Sequence, residues 1–316
     1  MTTLRTESNP IDWKTAADIE RPFVRHRSPH RSPAQIQCHC ATSERVRLSV
    51  VIPTLDGDRN GCLPRLLDQI GDQNFLEYEV FVVQGDPRQG RAINIGAALA
   101  KGEYLLTLDD DTALPDPATF TRLIWVMDRN PDIGMAGGNN LIPPHAPFFI
   151  QRAMREIPRR SWPMVNKITD TDLAEHPCLI MRTAEFKAIG GENELIPRGL
   201  DPYLRREFRK ADQRVVVVPG VLYHHLPPPK LSLLLKQFYR NGRDAAFVNC
   251  HYPDWVIETP ATHGDFKDRV DPAYRVFRFG FRLIRALTSG YFVWFASELC
   301  YAIGYLSQRF QPKVSA

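Results

Sequence analysis

Between residues 46 and 111, short β-branched runs alternate with helical stretches, and this alternation narrows the choice of fold more than any other feature of the chain. Val46-Arg47-Leu48-Ser49-Val50-Val51-Ile52-Pro53 is an apolar run closed by proline, which suits a buried parallel strand better than a helix. The pattern then predicts a helix over 63–70, a strand over 78–83, a Gly/Pro/Arg loop over 84–90 and a helix over 92–100 stopped by Lys101-Gly102. A third strand over 103–108 runs directly into Asp109-Asp110-Asp111. Strands and helices at this spacing imply an α/β fold, a mostly parallel sheet flanked by helices, with ligands at the carboxyl ends of its strands. The same reading continues with a helix over 116–129, strands over 134–140, 178–181 and 214–218, and helices over 183–189 and 201–211.

With 40 Lys and Arg against 36 Asp and Glu, the 316-residue chain carries a formal charge of only +4. A dedicated nucleic-acid binder concentrates far more positive charge to displace counterions, so no nucleic-acid partner is expected. The six cysteines (Cys38, Cys40, Cys62, Cys178, Cys250, Cys300) are scattered, and no uninterrupted apolar run near the start resembles a signal peptide. A reducing, cytoplasmic compartment is therefore expected. Cys38-His39-Cys40 is at most half a zinc site, because no second half with ligand spacing follows. Residues 1–45 mix Arg, His, Ser and Pro without apolar periodicity and read as a flexible arm, followed by one domain over 46–255 and a helical segment over 256–316.

In that last segment Arg275, Arg278, Arg282 and Arg285 recur at spacings of three, four and three, which gathers four guanidiniums on one helical face, with Phe277, Phe281 and Ile284 largely elsewhere. Two readings follow: peripheral contact with an anionic membrane through 275–297, at the inner face of the cell membrane, or a terminal helix packed on the domain with its Arg face solvated. The apolar run 291–296 is too short before Glu298 to span a bilayer.

Three consecutive carboxylates at the end of a buried strand repel one another unless a cation neutralises them, and oxygen ligands suit Mg²⁺ or Mn²⁺. In an extended turn Asp109 and Asp111 point to one side, with Asp110 turned away or capping a backbone amide. The alternative is an acidic turn leading into the following helix. Either His224 or His225 could complete a metal site. Arg240 and Arg243 could clamp phosphate oxygens or lie solvated on a helix. Asn94, inside a small-residue helix, calls for a polar partner, structural or nucleotide-adjacent.

Taken in order, 46–54, Gly90 to Tyr104 and Asp109-Asp110-Asp111 closely resemble the glycosyltransferases of family 2, inverting enzymes of the GT-A fold. The similarity continues through Cys178-Leu179-Ile180-Met181-Arg182, Gly190-Gly191-Glu192-Asn193-Glu194, Asp201, His224-His225 and the stretch 237–243, so that it covers about 46–250. The resemblance implies a nucleotide-sugar donor, a saccharide or lipid-linked acceptor, and Mg²⁺ or Mn²⁺ as cofactor. By the same resemblance Asp109 and Asp111 hold the metal, with His225 as a further ligand, and Pro53, Thr54, Asp109, Asp110, Arg91, Asn94, Arg240 and Arg243 line the donor. Asp201 falls at the catalytic carboxylate, a general base for the acceptor hydroxyl; the other reading of Asp201 is a helix cap before Pro202.

Three departures qualify the likeness. The second strand ends Val82-Val83-Gln84-Gly85-Asp86 in place of Asp-Asp-Gly-Ser, which leaves Asp86 or Gln84 to read the base. Leu200 stands where many members place a second acid, and Gln237 and Arg240 are followed by Asn241 where processive synthases carry Trp. A single-addition enzyme is expected. A P-loop nucleotidase is the competing enzyme reading of Gly85 to Ala92, but Arg91 and Ala92 replace its Lys and Ser/Thr. A catalytically silent nucleotide-sugar or membrane-surface binding protein is the third.

Overall fold

The computed structural model describes residues 14–40, 45–257 and 271–309. The chain divides into two compact units. The first takes in the described residues up to Leu141, Trp162–Leu195 and Leu204–His225; the second takes in Ile142–Ser161, Ile196–Tyr203 and those from Leu226 onward. In chain order the elements are β1 (Lys14–Thr15), β2 (Gln35–Cys40), β3 (Leu48–Thr54), α1 (Cys62–Gly71), β4 (Tyr78–Gln84), α2 (Gln89–Leu99), β5 (Tyr104–Thr107), β6 (Thr112–Ala113), α3 (Thr119–Arg129) and β7 (Ile133–Asn140). They continue with α4 (Phe148–Glu156), β8 (Thr169–Asp170), β9 (Leu179–Arg182), α5 (Thr183–Ala188), α6 (Leu200–Lys210), β10 (Arg214–His225), α7 (Leu231–His251), α8 (Pro272–Thr288) and α9 (Phe292–Arg309).

The first unit is an α/β fold around one sheet in the order β1-β2-β4-β3-β5-β9-β7-β10-β6, with β8 beside β10. The sheet is mixed rather than mostly parallel. β4, β3 and β5 run parallel, as do β7 and β10, whereas β9 is antiparallel to both β5 and β7, and β2 is antiparallel to β4. Strand alternation sends Leu48, Val50 and Ile52 into one core with α1 and α3, and Val51, Phe81 and Leu105 into a second core with α2 and α5. Because both faces are buried, β3 reads as a continuous apolar run. Gly96 lets α2 lie directly on β3, since a Cβ there would stand 2.5 Å from Val51 Cγ1. Pro53 stands two residues beyond Val51, the last residue of β3 paired with β5, where its missing N–H costs no ladder bond on that side.

The reading of 1–45 as a flexible arm does not hold for 16–40; residues 1–13 and 41–44 lie outside the described residues. β2 pairs with β4 from Gln35↔Gln84 to Cys40↔Glu79, and the segment before it is fixed by ion pairs rather than apolar periodicity. Arg21 Nε meets Glu194 Oε1 at 2.9 Å, Arg25 meets Glu207 at 3.1 Å, and Ser32 donates to Asp86. β10 also runs seven residues beyond the expected 214–218, because a register shift between Val217 and Leu222 absorbs Pro219-Gly220 without ending the strand.

The second unit is helical. Ala153, Ile157, Leu234, Ala286, Val293 and Trp294 form its largest apolar core. α7 and α9 cross in backbone contact at two glycines: a Cβ on Gly242 would run into the Tyr301 carbonyl, and one on Gly304 into that of Tyr239. Tyr203 packs edge-on against Trp255, with Ile196, Leu200 and Val248 beside them. Among the described residues no helix is long and apolar enough to cross a membrane. Of the helical segment read over 256–316, residues 258–270 and 310–316 lie outside the described residues.

Candidate active site

The acidic run begins where β5 ends. Leu108 N still donates to Val51 O at 3.2 Å, and Thr112 N then turns back to Asp109 O at 3.0 Å, so the three carboxylates occupy a tight turn into β6. Behind it, Thr107 donates to the His176 carbonyl at 3.1 Å, and the His176 imidazole lies 3.0 Å from the buried Glu192 carboxylate. β6 pairs antiparallel with the end of β10, His225 opposite Thr112 and His224 opposite Ala113. This pairing, far apart in sequence, carries a histidine to the acidic turn.

Alternation along β10 sends the two histidines opposite ways. His224 Nδ1 lies 2.6 Å from the Leu141 carbonyl, a structural bond. His225 Nε2 lies 3.1 Å from Asp111 Oδ1 and 3.9 Å from Asp109 Oδ2, and its backbone N–H donates to Asn140 Oδ1 at 3.0 Å. One ligand atom from each of Asp109, Asp111 and His225 lies within 4.8 Å of the others, the one such His/Cys/Asp/Glu group among the described residues. Asp110 turns aside and accepts from Thr54 Oγ1 at 2.8 Å, and Thr54 in turn accepts from Gly57 N–H.

The neighbouring carboxyls are pushed in opposite directions. Burial raises Asp110 above the ordinary carboxylate range, with the Thr54 hydrogen bond working against it. Burial also disfavours the charge on Asp111, but the hydrogen bond and charge of His225, with Arg59, outweigh it and hold this carboxyl far below the usual range. A carboxylate kept ionised, a second beside it and an imidazole form a donor set that fits Mn²⁺ or Mg²⁺.

Two contributors escape a sequence reading. Arg59, on the Asp56 to Gly61 turn after β3, places Nη2 2.9 Å from Asp111 Oδ2 and Nε 3.5 Å from Asp110 Oδ1. Its backbone sits at φ 52° and that of Asn60 at φ 56°, and Asp56 Oδ1 holds the turn by accepting from the N–H groups of Asp58 and Arg59. Gln89, first residue of α2, donates to Asp109 Oδ1 at 2.8 Å. The signal for both was their place: each follows the carboxyl end of a strand.

Other expected donor contacts have different partners. Arg91 forms a bidentate pair with buried Asp86, at 2.7 and 2.9 Å, and its Nη1 donates to the His30 carbonyl. The two charges satisfy each other, so base reading by Asp86 and phosphate binding by Arg91 find no support, and the P-loop reading loses its cation. Asn94 is fully buried and bonded at both amide atoms, donating to Glu192 O and Glu194 and accepting from Glu192 N–H, which gives it the structural part. Gln84 donates to Asp56 O at 3.1 Å. In the second unit, Asp201 is half-buried in the first turn of α6, which starts at Leu200, so it lies inside the helix rather than capping it. Arg240 is exposed on α7, and Arg243 donates to Gln308 Oε1 at 3.0 and 3.2 Å.

The segment from the end of β4 through β9, which contains the acidic turn, matches a known family. Residues 84–183 match the family model Glycosyl transferase family 2. No curated protein matches the chain in sequence. Among solved structures, the mannosyltransferase PcManGT from Pyrobaculum calidifontis, in complex with GDP-Man and Mn²⁺, aligns over 86% of this chain and 89% of its own, with a TM-score of 0.54 at 13% identity. S. aureus TarS 1–349 in complex with UDP-GlcNAc aligns over 77% and 73%, with a TM-score of 0.45 at 14% identity. Residues 84–183 are thus similar to the family 2 glycosyltransferases that the resemblance implied, and the chain shares the α/β fold of the GT-A glycosyltransferases.

Proposed function

We propose that this protein is a metal-dependent inverting glycosyltransferase that moves one sugar from a nucleoside-diphosphate donor to an acceptor hydroxyl on a saccharide or lipid-linked glycan. The observation that carries the reading is the convergence of Asp109 and Asp111, inside the segment that matches the family, with His225, which β10 brings to them from outside it. These three would hold Mg²⁺ or Mn²⁺, which when bound neutralises negative charge on the leaving diphosphate.

The remaining work falls to the chain's own groups. Thr54 and Asp110 brace the turn so that the flanking carboxylates face the donor. Arg59 neutralises Asp111 in the resting site and, once displaced from it, offers a planar fork to the diphosphate. Asp201 accepts the proton of the acceptor hydroxyl as that oxygen attacks the anomeric carbon opposite the leaving group, so configuration inverts. Arg240 and Arg243 are candidate phosphate contacts on α7. Asn241 after Arg240 in place of tryptophan supports addition of one sugar at a time.

GDP-mannose with Mn²⁺, the pair bound by PcManGT, is the first donor to try, followed by UDP- and dTDP-sugars. The test is a transfer assay with NMR of the product anomer. An α-linked donor should yield a β-linked product, and Asp201→Asn should lower kcat by about 10²- to 10⁴-fold while leaving donor affinity within about twofold. Retention of configuration, or an unimpaired Asp201→Asn, would defeat the mechanism.

A further inference from the structure

The sequence suggests that the arginine face of α8 is the outward one; the structure places an apolar face there instead. Arg282 donates to Glu298, which is buried and also accepts from Trp294 Nε1 at 3.0 Å, and Arg275 donates to Asn249 Oδ1. Meanwhile Phe277, Phe281 and Ile284, spaced four and three apart on one face, are 71%, 55% and 62% exposed. On α9, Phe292, Ile303 and Leu306 are 61%, 58% and 50% exposed. Both helices already supply the unit's core through Ala286, Val293 and Trp294, so these outward stripes are surplus to folding. Exposed apolar stripes of this size mark a binding face.

The charges around it say what it binds. α8 contains four arginines and no acidic residue, and the acid that follows on α9, Glu298, is neutralised internally by Arg282. Arg285 stands exposed beside the stripe, so the rim is positive there, and the exposed Asp271 lies at the opposite, N-terminal end of α8. Pairing of two copies through this face would bring like-charged rims together, whereas an anionic lipid surface complements both the rim and the apolar stripe. Neither helix is long and apolar enough to span, which leaves lying in the interface plane. We propose that the α8–α9 hairpin is a membrane-docking surface that seats its exposed aromatic and aliphatic stripe at the headgroup boundary of an anionic bilayer, a role independent of the transfer chemistry.

The test is co-sedimentation of the full chain with vesicles of phosphatidylcholine, alone or mixed with phosphatidylglycerol, for the wild type and the Phe277→Ser/Phe281→Ser/Ile284→Ser variant, with light scattering and thermal melts alongside. The wild type should be monomeric and sediment with the mixed vesicles, and the variant should partition at least about tenfold more weakly with its melting midpoint unchanged. A second variant, Arg285→Glu, should weaken binding to the mixed vesicles only. The proposal is overturned if the wild type ignores vesicles, if the triple variant sediments as well as the wild type, or if both vesicle types bind equally. It is equally overturned if the triple variant turns a dimer into a monomer, since a second copy then covers the face, or melts markedly lower, since the chain itself then does.

Discussion

Replacing Arg59 with glutamine should tighten metal binding, although the substitution removes a residue of the site. In the resting protein its guanidinium stands 2.9 Å from Asp111 and 3.5 Å from Asp110, in the position of a competing cation. The Arg59 side chain is 47% exposed and Asp111 20%, so the pair belongs with exposed salt bridges, worth about 0.2–1 kcal/mol after screening. Releasing that competition converts to a roughly 1.4- to 5-fold lower Kd for Mn²⁺ in the absence of nucleotide. Titration calorimetry of Mn²⁺ into the wild type and Arg59→Gln at low salt measures it directly, and the difference should shrink at high ionic strength. Donor affinity in the presence of Mn²⁺ should move the other way, because the fork that would engage the diphosphate is gone. Weaker Mn²⁺ binding by Arg59→Gln would refute the competition and place Arg59 among the groups that build the metal site.

Three further outcomes follow from the packing. Glu194 is fully buried and accepts from Arg21, Ser28 N–H and Asn94, so Glu194→Gln should leave the Arg21 guanidinium buried without its counter-charge and cost about 3–5 kcal/mol in urea melts; a loss below about 1 kcal/mol would show that the N-terminal segment is not built into the fold. Gly242→Ala should destabilise the helical unit by about 1–3 kcal/mol despite alanine's better helix propensity, because its methyl meets the Tyr301 carbonyl, and an unchanged thermal midpoint would contradict the α7–α9 crossing. Hydrogen bonds from Arg214 hold Asp132 and Asp170 below the ordinary carboxylate range, so their contribution is full above the unfolded-state value and fades as pH falls through the lower folded-state one. All three side chains are more than a third exposed, so Arg214→Gln should flatten the acid limb of the stability–pH curve by less than about 1 kcal/mol, and a wild-type-like acid limb would contradict the assignment.

What the sequence reveals here is what is local. β3, β4 and α2 follow from apolar runs, small residues and punctuation by Pro53, Gly90 and Gly102, and the acidic turn is visible because three carboxylates after a strand are costly without a purpose. What stayed hidden depends on partners distant in the chain. The segment 16–34 looks disordered because its order comes from Arg21 reaching Glu194, 173 residues away, and from Arg91 bonding the His30 carbonyl. The direction of β9 cannot be read from its four residues, and the outward face of α8 is decided by Arg282 finding Glu298. Of the two histidines, only the β6–β10 register distinguishes the one that meets Asp111 from the one that bonds Leu141.

The claim that Asp109, Asp111 and His225 form a metal-dependent donor site is tested most directly by thermal shift with GDP-mannose and other nucleotide sugars, with and without Mn²⁺, on the wild type and Asp111→Ala. A donor at about 100 times its Kd should stabilise the native state by about 2.7 kcal/mol, or roughly 5–10 °C, only with the metal present and not in the variant. No shift with any donor, or one that survives without Mn²⁺ or in Asp111→Ala, would contradict the account.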